Sequence, residues 1–269
     1  MCDVLDVSPS GYYAWRGRPL VTPRVGRDLA LRARIRAIHA ATRGSYGSPR
    51  VHRALRTSGE RVGRKRVIRL MRVDGLRGRP RRRYRVTTQS DAAAIPAANV
   101  LQQRFAIAAS NTVWAGDITA IPTGEGWVYL AVLLDLWSRR IVGWALRATV
   151  DTELVCGALH MALGHRRVAA GLVHHSDRGA QYTAARYQTQ LRAAGLRCSM
   201  SRRGNCFDNA PVESFFRTLK VEIDERCFWP TRQQATAAVH RYLAFYNRDR
   251  LHSSLGYQSP ITFEAQHTA

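Results

Sequence analysis

Lysine, paired cysteines and long hydrophobic runs are all scarce in this sequence. Only Lys65 and Lys220 among the 42 basic residues are lysine, so nearly all of the positive charge is arginine. The five cysteines form no C-x-x-C pair and no regular disulfide framework, which indicates reduced thiols. No apolar run approaches roughly 18–20 residues, and the N-terminus lacks a signal-like core. These absences exclude a disulfide-rich secreted protein and a membrane protein, and we expect a soluble, cytoplasmic chain.

Positive charge is concentrated in the first part of the chain. The formal net charge is +23 over 269 residues, enough length for two domains. Residues 1–110 carry 24 Lys and Arg against 6 Asp and Glu, a net charge of +18 that leaves only +5 for residues 111–269. This asymmetry favours a polyanion-binding N-terminal part joined to a more balanced domain.

Residues 28–76 have the pattern of a helix-turn-helix DNA-binding domain. Asp28 can cap a first helix, and two short helices are expected over 49–57 and 64–74, joined by a turn that contains glycine. A strongly basic second helix after such a turn fits a domain that binds duplex DNA, although a small basic bundle that binds only phosphates is the alternative. The side chains predicted to contact DNA here are Arg64, Lys65, Arg66, Arg69 and Arg72.

The segments on either side of this domain show less regular patterns. Residues 1–27 are predicted to be an irregular lead-in. Residues 77–109 are first rich in arginine and then rich in alanine, and we interpret them as a basic linker. Such a linker can lie along DNA phosphates or act as a solvated tether.

From Thr112 onward the pattern indicates an α/β domain. Three consecutive strands with short connections predict an antiparallel meander, and helices then alternate with two more strands and end in a late helix. This is the element order of a ribonuclease H-like fold, which we assign to a catalytic core over 110–225. A C-terminal helix and basic tail are predicted over 226–269. The predicted strands are 113–121, 127–136, 140–146, 171–175 and 196–200.

Three acids mark the candidate site of this core. Asp117 lies in the first strand, Asp177 follows the fourth strand, and Glu213 lies near the start of the late helix. The fold would bring these elements together, and three carboxylates in one cleft repel one another unless cations neutralise them. Two Mg²⁺ ions roughly 3.5–4 Å apart can clamp the attacking and leaving oxygens of a phosphodiester displacement. We therefore predict a two-metal site, with Asp117 bridging both ions.

Other polar residues near these acids have two possible roles. Asp208 or Asn209 can cap the late helix. His174 and His175 could be metal ligands or simply hydrogen-bonded core residues. Basic and polar side chains around the site and in the C-terminal tail are candidates for holding the DNA backbone. These DNA-contact candidates are Arg178, Arg202, Asn205, Arg217, Lys220, Arg250 and His252.

Four motifs in this order resemble one family of proteins. They are W-x-x-D-I-T around Asp117, H-S-D-R-G-x-Q-Y around Asp177, G-N-C-x-D-N-A-x-x-E-S-F-F-x-x-L-K around Glu213, and Y-N-x-x-R-x-H-x-x-L from Tyr246. Over roughly residues 28–265 the chain is similar to bacterial transposases of the insertion sequence three family, specifically their second-frame product. The resemblance implies a retroviral-integrase-like Asp-Asp-Glu core that depends on Mg²⁺, for which Mn²⁺ can substitute.

The resemblance also implies a biological role and partners. It implies strand cleavage and strand transfer at the inverted-repeat ends of an insertion sequence, by way of a circular intermediate. The expected partners are double-stranded end and target DNA, further copies of the same chain on that DNA, and a short first-frame protein as a fusion or partner.

Other interpretations of the same residues stay open. The chain could be a DNA-binding regulator with an inactive integrase-like core. It could be a ribonuclease H-type nuclease, although the basic N-terminal part and tail favour duplex DNA over hybrids. A tyrosine recombinase would instead use Arg250, His252 and Tyr257 as a covalent site.

Overall fold

A computed structural model describes residues 2, 4, 6–17, 23–79, 97–202, 205–223 and 229–267. The chain divides into two compact units, Met1–Arg79 and Pro80–Ala269. Residues 80–96, most of the predicted basic linker, lie outside the described residues. The division into five segments stays a prediction.

The first unit is helical, as the sequence predicted. Its helices are α1 (Pro9–Arg16), α2 (Pro23–Ala41), α3 (Ser48–Thr57) and α4 (Arg64–Val73). Side chains of α2, α3 and α4 form its core, with Ile35, Val51, Leu55 and Val67 fully buried.

Two predictions about the start of this unit were wrong. The lead-in is not irregular throughout, because residues 9–16 form α1, which Ser8 caps by accepting a hydrogen bond from the Gly11 N–H. Asp28 does not cap the next helix, because α2 already begins at Pro23, where proline suits a first turn.

The second unit is organised around a mixed sheet, five-stranded in the described part of the chain. The order is β3-β2-β1-β4-β5; β1 pairs antiparallel with β2 and parallel with β4, β2 pairs antiparallel with β3, and β4 pairs parallel with β5. The predicted meander and α/β fold are therefore confirmed. The strands are β1 (Val113–Thr123), β2 (Gly126–Asp135), β3 (Ile141–Arg147), β4 (Val173–Ser176) and β5 (Arg197–Met200).

Helices cover both faces of this sheet. Because successive strand residues point to opposite faces, Leu130 and Val132 pack into one core while Ala131 and Leu133 pack into the other. The helices α8 and α9 cover the first face, and α5 and α7 cover the second. The helices of this unit are α5 (Thr152–His165), α6 (Ala180–Thr183), α7 (Ala185–Ala193), α8 (Ala210–Glu222), α9 (Arg232–Arg248) and α10 (Pro260–His267).

The C-terminal segment is more ordered than the predicted basic tail. Residues 260–267 form α10, and Glu264 on this helix accepts hydrogen bonds from Arg140 Nη1 (2.6 Å) and Arg166 Nη1 (3.0 Å). Helix α9 shares a hydrophobic core with the sheet. Among the described residues, no helix is both long and apolar enough to span a membrane.

Candidate active site

The three predicted acids lie on β1, just after β4, and in the first turn of α8. Strand β4 runs parallel to β1 with His175 beside Ala115, and continuing this register by two residues brings Asp177 level with Asp117. Each aspartate is oriented by a backbone N–H. Ile118 donates to Asp117 Oδ1 (2.8 Å), and Gly179 donates to Asp177 Oδ1 (2.9 Å).

The electrostatics of the site link Asp117 to both of the other acids. Burial raises the pKa of Asp117 well above its ordinary value, and the negative charges of Asp177 and Glu213 raise it further against the effect of the Ile118 hydrogen bond. Burial also raises the pKa of Asp177 and of Glu213, with Gly179 opposing the first shift and Arg217 the second. All three acids are thus held in surroundings that disfavour their charged forms.

Among the described residues, the three acids do not form a complete metal site. In the part of the chain that the structure describes, none of the three acids forms an ion pair with Arg or Lys. Among those same residues, no three His, Cys, Asp or Glu side chains are grouped closely enough to hold a metal ion. Of the two neighbouring carboxylates, Asp177 has the larger influence on the pKa of Asp117 and Glu213 the smaller one.

The two histidines before Asp177 are core residues. His174 Nε2 lies 2.9 Å from the Tyr187 hydroxyl, and His175 lies 2.9 Å from Ser199 Oγ and 3.2 Å from Ser201 Oγ. Burial lowers the pKa of His174 to about 3 and that of His175 to about 4. Their hydrogen bonds favour the role of core residues over that of metal ligands.

The residues expected to cap α8 make other contacts. Asp208 is fully buried and accepts hydrogen bonds from Arg202 (backbone N 2.8 Å, Nε 3.0 Å, Nη2 2.9 Å), Gln103 Nε2 (2.7 Å) and Asn99 Nδ2 (2.9 Å). Arg202 is the main cause of the strongly lowered pKa of Asp208. Asn209 occupies the N-cap position without a side-chain cap bond, and its Nδ2 donates to the Gly116 carbonyl (3.1 Å).

The residues near the acids that were predicted to contact DNA differ in the partners they have within the protein. Arg202, predicted to contact DNA, binds Asp208 with its guanidinium while its side chain stays 58% exposed. Arg178 Nε donates to the Ser201 carbonyl (2.7 Å), and Asn205 Oδ1 accepts from the Phe207 N–H (3.1 Å). Arg217 is near enough to Glu213 to affect its pKa, and Lys220 follows on the same helix, partly exposed.

Arg250 and His252 are buried, which argues against their predicted role as DNA contacts. Arg250 is 5% exposed, and its Nε and Nη2 each donate to Glu222 at 2.9 Å. His252 is buried, and its ring meets Tyr246 edge-on at 4.7 Å. A guanidinium that is buried against a carboxylate is not available to a phosphate or to a covalent recombinase site.

The basic side chains of α4 fall into two groups. Arg66 and Arg69 bind Asp28 of α2, with Arg66 Nε 2.8 Å from Asp28 Oδ1. Asp28 therefore joins α2 to α4 where the sequence predicted a helix cap. Arg64, Lys65 and Arg72 are exposed on α4.

Family comparisons agree with this two-part organisation. Residues 26–84 match the model of an HTH-like domain, and residues 108–206 and 194–260 each match a model described as an integrase core domain. A structural likeness of TM-score 0.45 and 21% identity links 59% of this chain to 97% of the catalytic core domain of BIV integrase.

Two relatives align along nearly the whole chain. The 31 kDa protein of insertion element IS600 from Shigella sonnei is 43% identical over 269 residues, which cover 99% of this chain and 98% of that protein. Transposase InsF for insertion sequence IS3A from Escherichia coli (strain K12) is 39% identical over 271 residues, which cover 100% of this chain and 94% of InsF. With an integrase core domain, an HTH-like domain and relatives of this identity and coverage, the chain belongs to the IS3 family of transposases.

Proposed function

We propose that Asp117, Asp177 and Glu213 are the catalytic carboxylates with which this transposase cleaves DNA strands at the ends of an insertion sequence and transfers them to target DNA. The observation that carries the proposal is that Asp177 and Glu213 both raise the pKa of Asp117, which burial already raises. Basic residues outnumber acidic ones by 42 to 19, yet these acids stand without an ion-pair partner among the described residues. A buried negative charge without a partner destabilises the folded chain unless a ligand such as a cation neutralises it.

A divalent cation fits this donor set. Carboxylate oxygens are hard ligands of the kind Mg²⁺ prefers, and the repulsion that raises the pKa of Asp117 is what a bound cation would relieve. Asp117, Asp177 and Glu213 would hold two Mg²⁺ ions, with Mn²⁺ able to replace them. When bound, the metal supplies positive charge that stabilises the reacting phosphate. The hydrogen bonds from Ile118 and Gly179 orient the two aspartates for this task.

The weaker influence of Glu213 on the pKa of Asp117 suggests how the site is completed. Duplex DNA carries the phosphates that would share the cations with the three acids, so DNA and metal together would draw Glu213 toward the aspartate pair. Arg178, Arg217 and Lys220 would hold the DNA backbone beside the acids, and Arg64, Lys65 and Arg72 would hold it at α4. Further partners of the proposed reaction are additional copies of this chain on the DNA ends and a first-frame protein, fused or separate.

Strand cleavage tests the proposal. The substrate is a labelled duplex copied from the inverted repeat that borders the coding sequence, incubated with the full chain and Mg²⁺. Asp117→Asn, Asp177→Asn and Glu213→Gln should each lower cleavage by about three orders of magnitude or more, because loss of a metal ligand removes several kcal/mol of transition-state stabilisation. DNA binding, measured by fluorescence anisotropy, should stay nearly unchanged.

A carboxylate at the far end of the β1–β2 hairpin provides the matched control. Glu125 is exposed and accepts a hydrogen bond from the Arg232 N–H (2.9 Å), so Glu125→Gln should cleave like the unmodified chain. Metal-dependent cleavage that survives in one of the three variants would remove that acid from the site. An unmodified chain that binds the duplex but never cleaves it would favour the DNA-binding regulator.

A further inference from the structure

The loop that precedes α8 is fastened at two consecutive residues. Asp208 and Asn209 are 0% and 4% exposed, whereas the preceding Phe207 is 69% exposed. Both buried side chains bind outside their own loop, and helix capping does not account for either. The segment therefore has a fixed point directly before the helix that carries Glu213.

Asn209 connects this helix to the strand of the first acid. Its Nδ2 donates to the carbonyl of Gly116, the residue immediately before Asp117. Gly116 itself lies in tightly packed surroundings, because a Cβ there would come within 3.1 Å of His174 Nε2 and Leu133 Cδ2. Asn209 and Glu213 are four residues apart, which places them about one helical turn apart on the same side. One hydrogen bond thus spans from the Asp117 strand to the start of the Glu213 helix.

Asp208 also holds the start of α8 in place, through different partners from those of Asn209. It joins Arg202, which follows β5, to Asn99 and Gln103, which precede β1. Val100 is held to the same end of the sheet, because its N–H donates to Ser199 Oγ of β5 (3.0 Å). A nearby arginine and a segment more than 100 residues away therefore restrain Asp208, and Asp208 restrains the start of α8.

We propose that Asp208 and Asn209 are positioning residues that set the place of Glu213 relative to Asp117. We call this pair the α8 anchor. The inference rests on the proposed catalytic role of Glu213 and adds residues that act through it. Without the anchor, the first turn of α8 loses its fixed point and Glu213 can no longer meet the aspartate pair in one geometry.

A double-mutant cycle on metal binding tests whether the anchor acts through Glu213. Free Mn²⁺ is measured by electron paramagnetic resonance with the full chain bound to the inverted-repeat duplex and carrying Asn209→Ala, Glu213→Gln or both, after the Mn²⁺ bound by the duplex alone is subtracted. Asn209→Ala should weaken Mn²⁺ binding about tenfold, as for residues that orient metal ligands. The double variant should bind no more weakly than Glu213→Gln alone, because the two residues act as a unit. Additive losses would overturn the proposal.

Cleavage kinetics and hydrogen exchange give two further readouts. Asn209→Ala should lower kcat and leave KM for the duplex unchanged, since the anchor positions a catalytic group and does not hold DNA. Amide hydrogen exchange in residues 214–217, whose N–H groups bond to the carbonyls of the first turn of α8, should become about tenfold faster in Asn209→Ala, as expected when local opening becomes easier. Phe207→Ala is the matched control from the same loop and should change neither the exchange rate nor Mn²⁺ affinity.

The readouts separate failure of the anchor from failure of the proposed function. If the unmodified chain neither binds Mn²⁺ nor cleaves DNA, the proposed function fails, and hydrogen exchange alone decides whether Asn209 fixes the start of α8. If Asn209→Ala exchanges at the unmodified rate in residues 214–217, the anchor is overturned whatever the activity.

Discussion

The two ends of α8 carry glutamates in opposite electrostatic situations. Glu213, in the first turn, has a pKa raised by burial that is only partly offset by Arg217. Glu222, at the last residue, is 6% exposed and accepts hydrogen bonds from Arg250 Nε, Arg250 Nη2 and the Tyr242 hydroxyl (3.1 Å). One helix thus holds Glu222, whose carboxylate forms an ion pair within the fold, and Glu213, which forms no ion pair among the described residues.

The same contrast runs through the second unit. Asp208 and Glu264 bind arginines and have lowered pKa values, although burial opposes the shift in both and is the largest influence on Glu264. Asp117 and Asp177 have raised values, and burial is the largest cause in both. Among the described residues, Asp117 and Asp177 form no ion pair, although the chain is rich in arginine. The difference separates acids that stabilise the fold from acids suited to a ligand.

The largest expected effect on stability concerns the Glu222 end of α8. Arg250→Ala should lower the free energy of unfolding by about 3–5 kcal/mol, because it leaves a buried carboxylate without its cation. Glu213→Gln should change it by no more than about 0.5 kcal/mol, as for sites outside a buried network. Urea unfolding followed by circular dichroism measures both.

A double replacement sharpens this first prediction. In Arg250→Met with Glu222→Leu, both charges are replaced by apolar groups, and most of the lost stability should return. If Arg250→Ala unfolds at the same urea midpoint as the unmodified chain, the ion pair contributes little and the contrast between the two ends of α8 disappears.

Local sequence pattern predicted most of the helices and strands, and it assigned the three acids to the elements on which the structure has them. The strands around Asp117 are long and apolar, β2 is buried along most of its length, and such runs are hard to mistake for surface helices. Spacing along the chain then placed Asp177 after the fourth strand and Glu213 on the late helix. Short helices such as α6 and α10 were missed, because segments of four and eight residues carry little periodic signal.

The partners of charged residues could not be predicted in the same way. Arg250 looked like a surface residue of a basic tail, but it is buried against Glu222, which precedes it by 28 residues. Asp208 looked like a helix cap, yet Asn99 and Gln103 bind it from more than 100 residues away. Such contacts depend on tertiary packing. The one local hint was two consecutive capping-type residues before α8, since only one residue can occupy an N-cap.

A smaller effect on the melting temperature is expected when Asp117 or Asp208 is replaced by asparagine. The raised pKa of Asp117 means that its stabilising contribution is present below the unfolded-state value of 3.8 and is lost as pH rises through the folded-state pKa. Asp117→Asn should therefore raise the melting temperature of the metal-free chain at pH 7 by about 2–4 °C, the shift for about 1 kcal/mol in a domain of 150–250 residues. The gain should vanish as pH falls toward 3.8.

Asp208→Asn should show the opposite dependence on pH. Its lowered pKa, caused first by Arg202, gives stability that is present above the unfolded-state value of 3.8 and is lost as pH falls through the folded-state pKa. The variant should melt below the unmodified chain at pH 7 and approach it in strong acid. Differential scanning fluorimetry in EDTA across pH measures both variants, and parallel curves for the two would show that the pairing of an acid does not determine its effect.

The smallest expected effect is on the salt dependence of DNA binding. It comes from comparing Arg69 of α4, which pairs with Asp28, with Arg64 of the same helix. Each phosphate contact contributes about 0.9 to the slope of log binding constant against log salt concentration on duplex DNA. Arg64 is exposed, so Arg64→Ala should reduce the slope by about that amount if it binds a phosphate. Arg69 already pairs with Asp28, so it displaces fewer counterions from DNA, and Arg69→Ala should reduce the slope by less. Fluorescence anisotropy of the full chain with a labelled duplex, repeated at several KCl concentrations, gives the slopes. Equal reductions in the two variants would mean that Asp28 releases Arg69 when DNA binds, and that on this helix an ion pair in the free protein does not exclude a DNA contact.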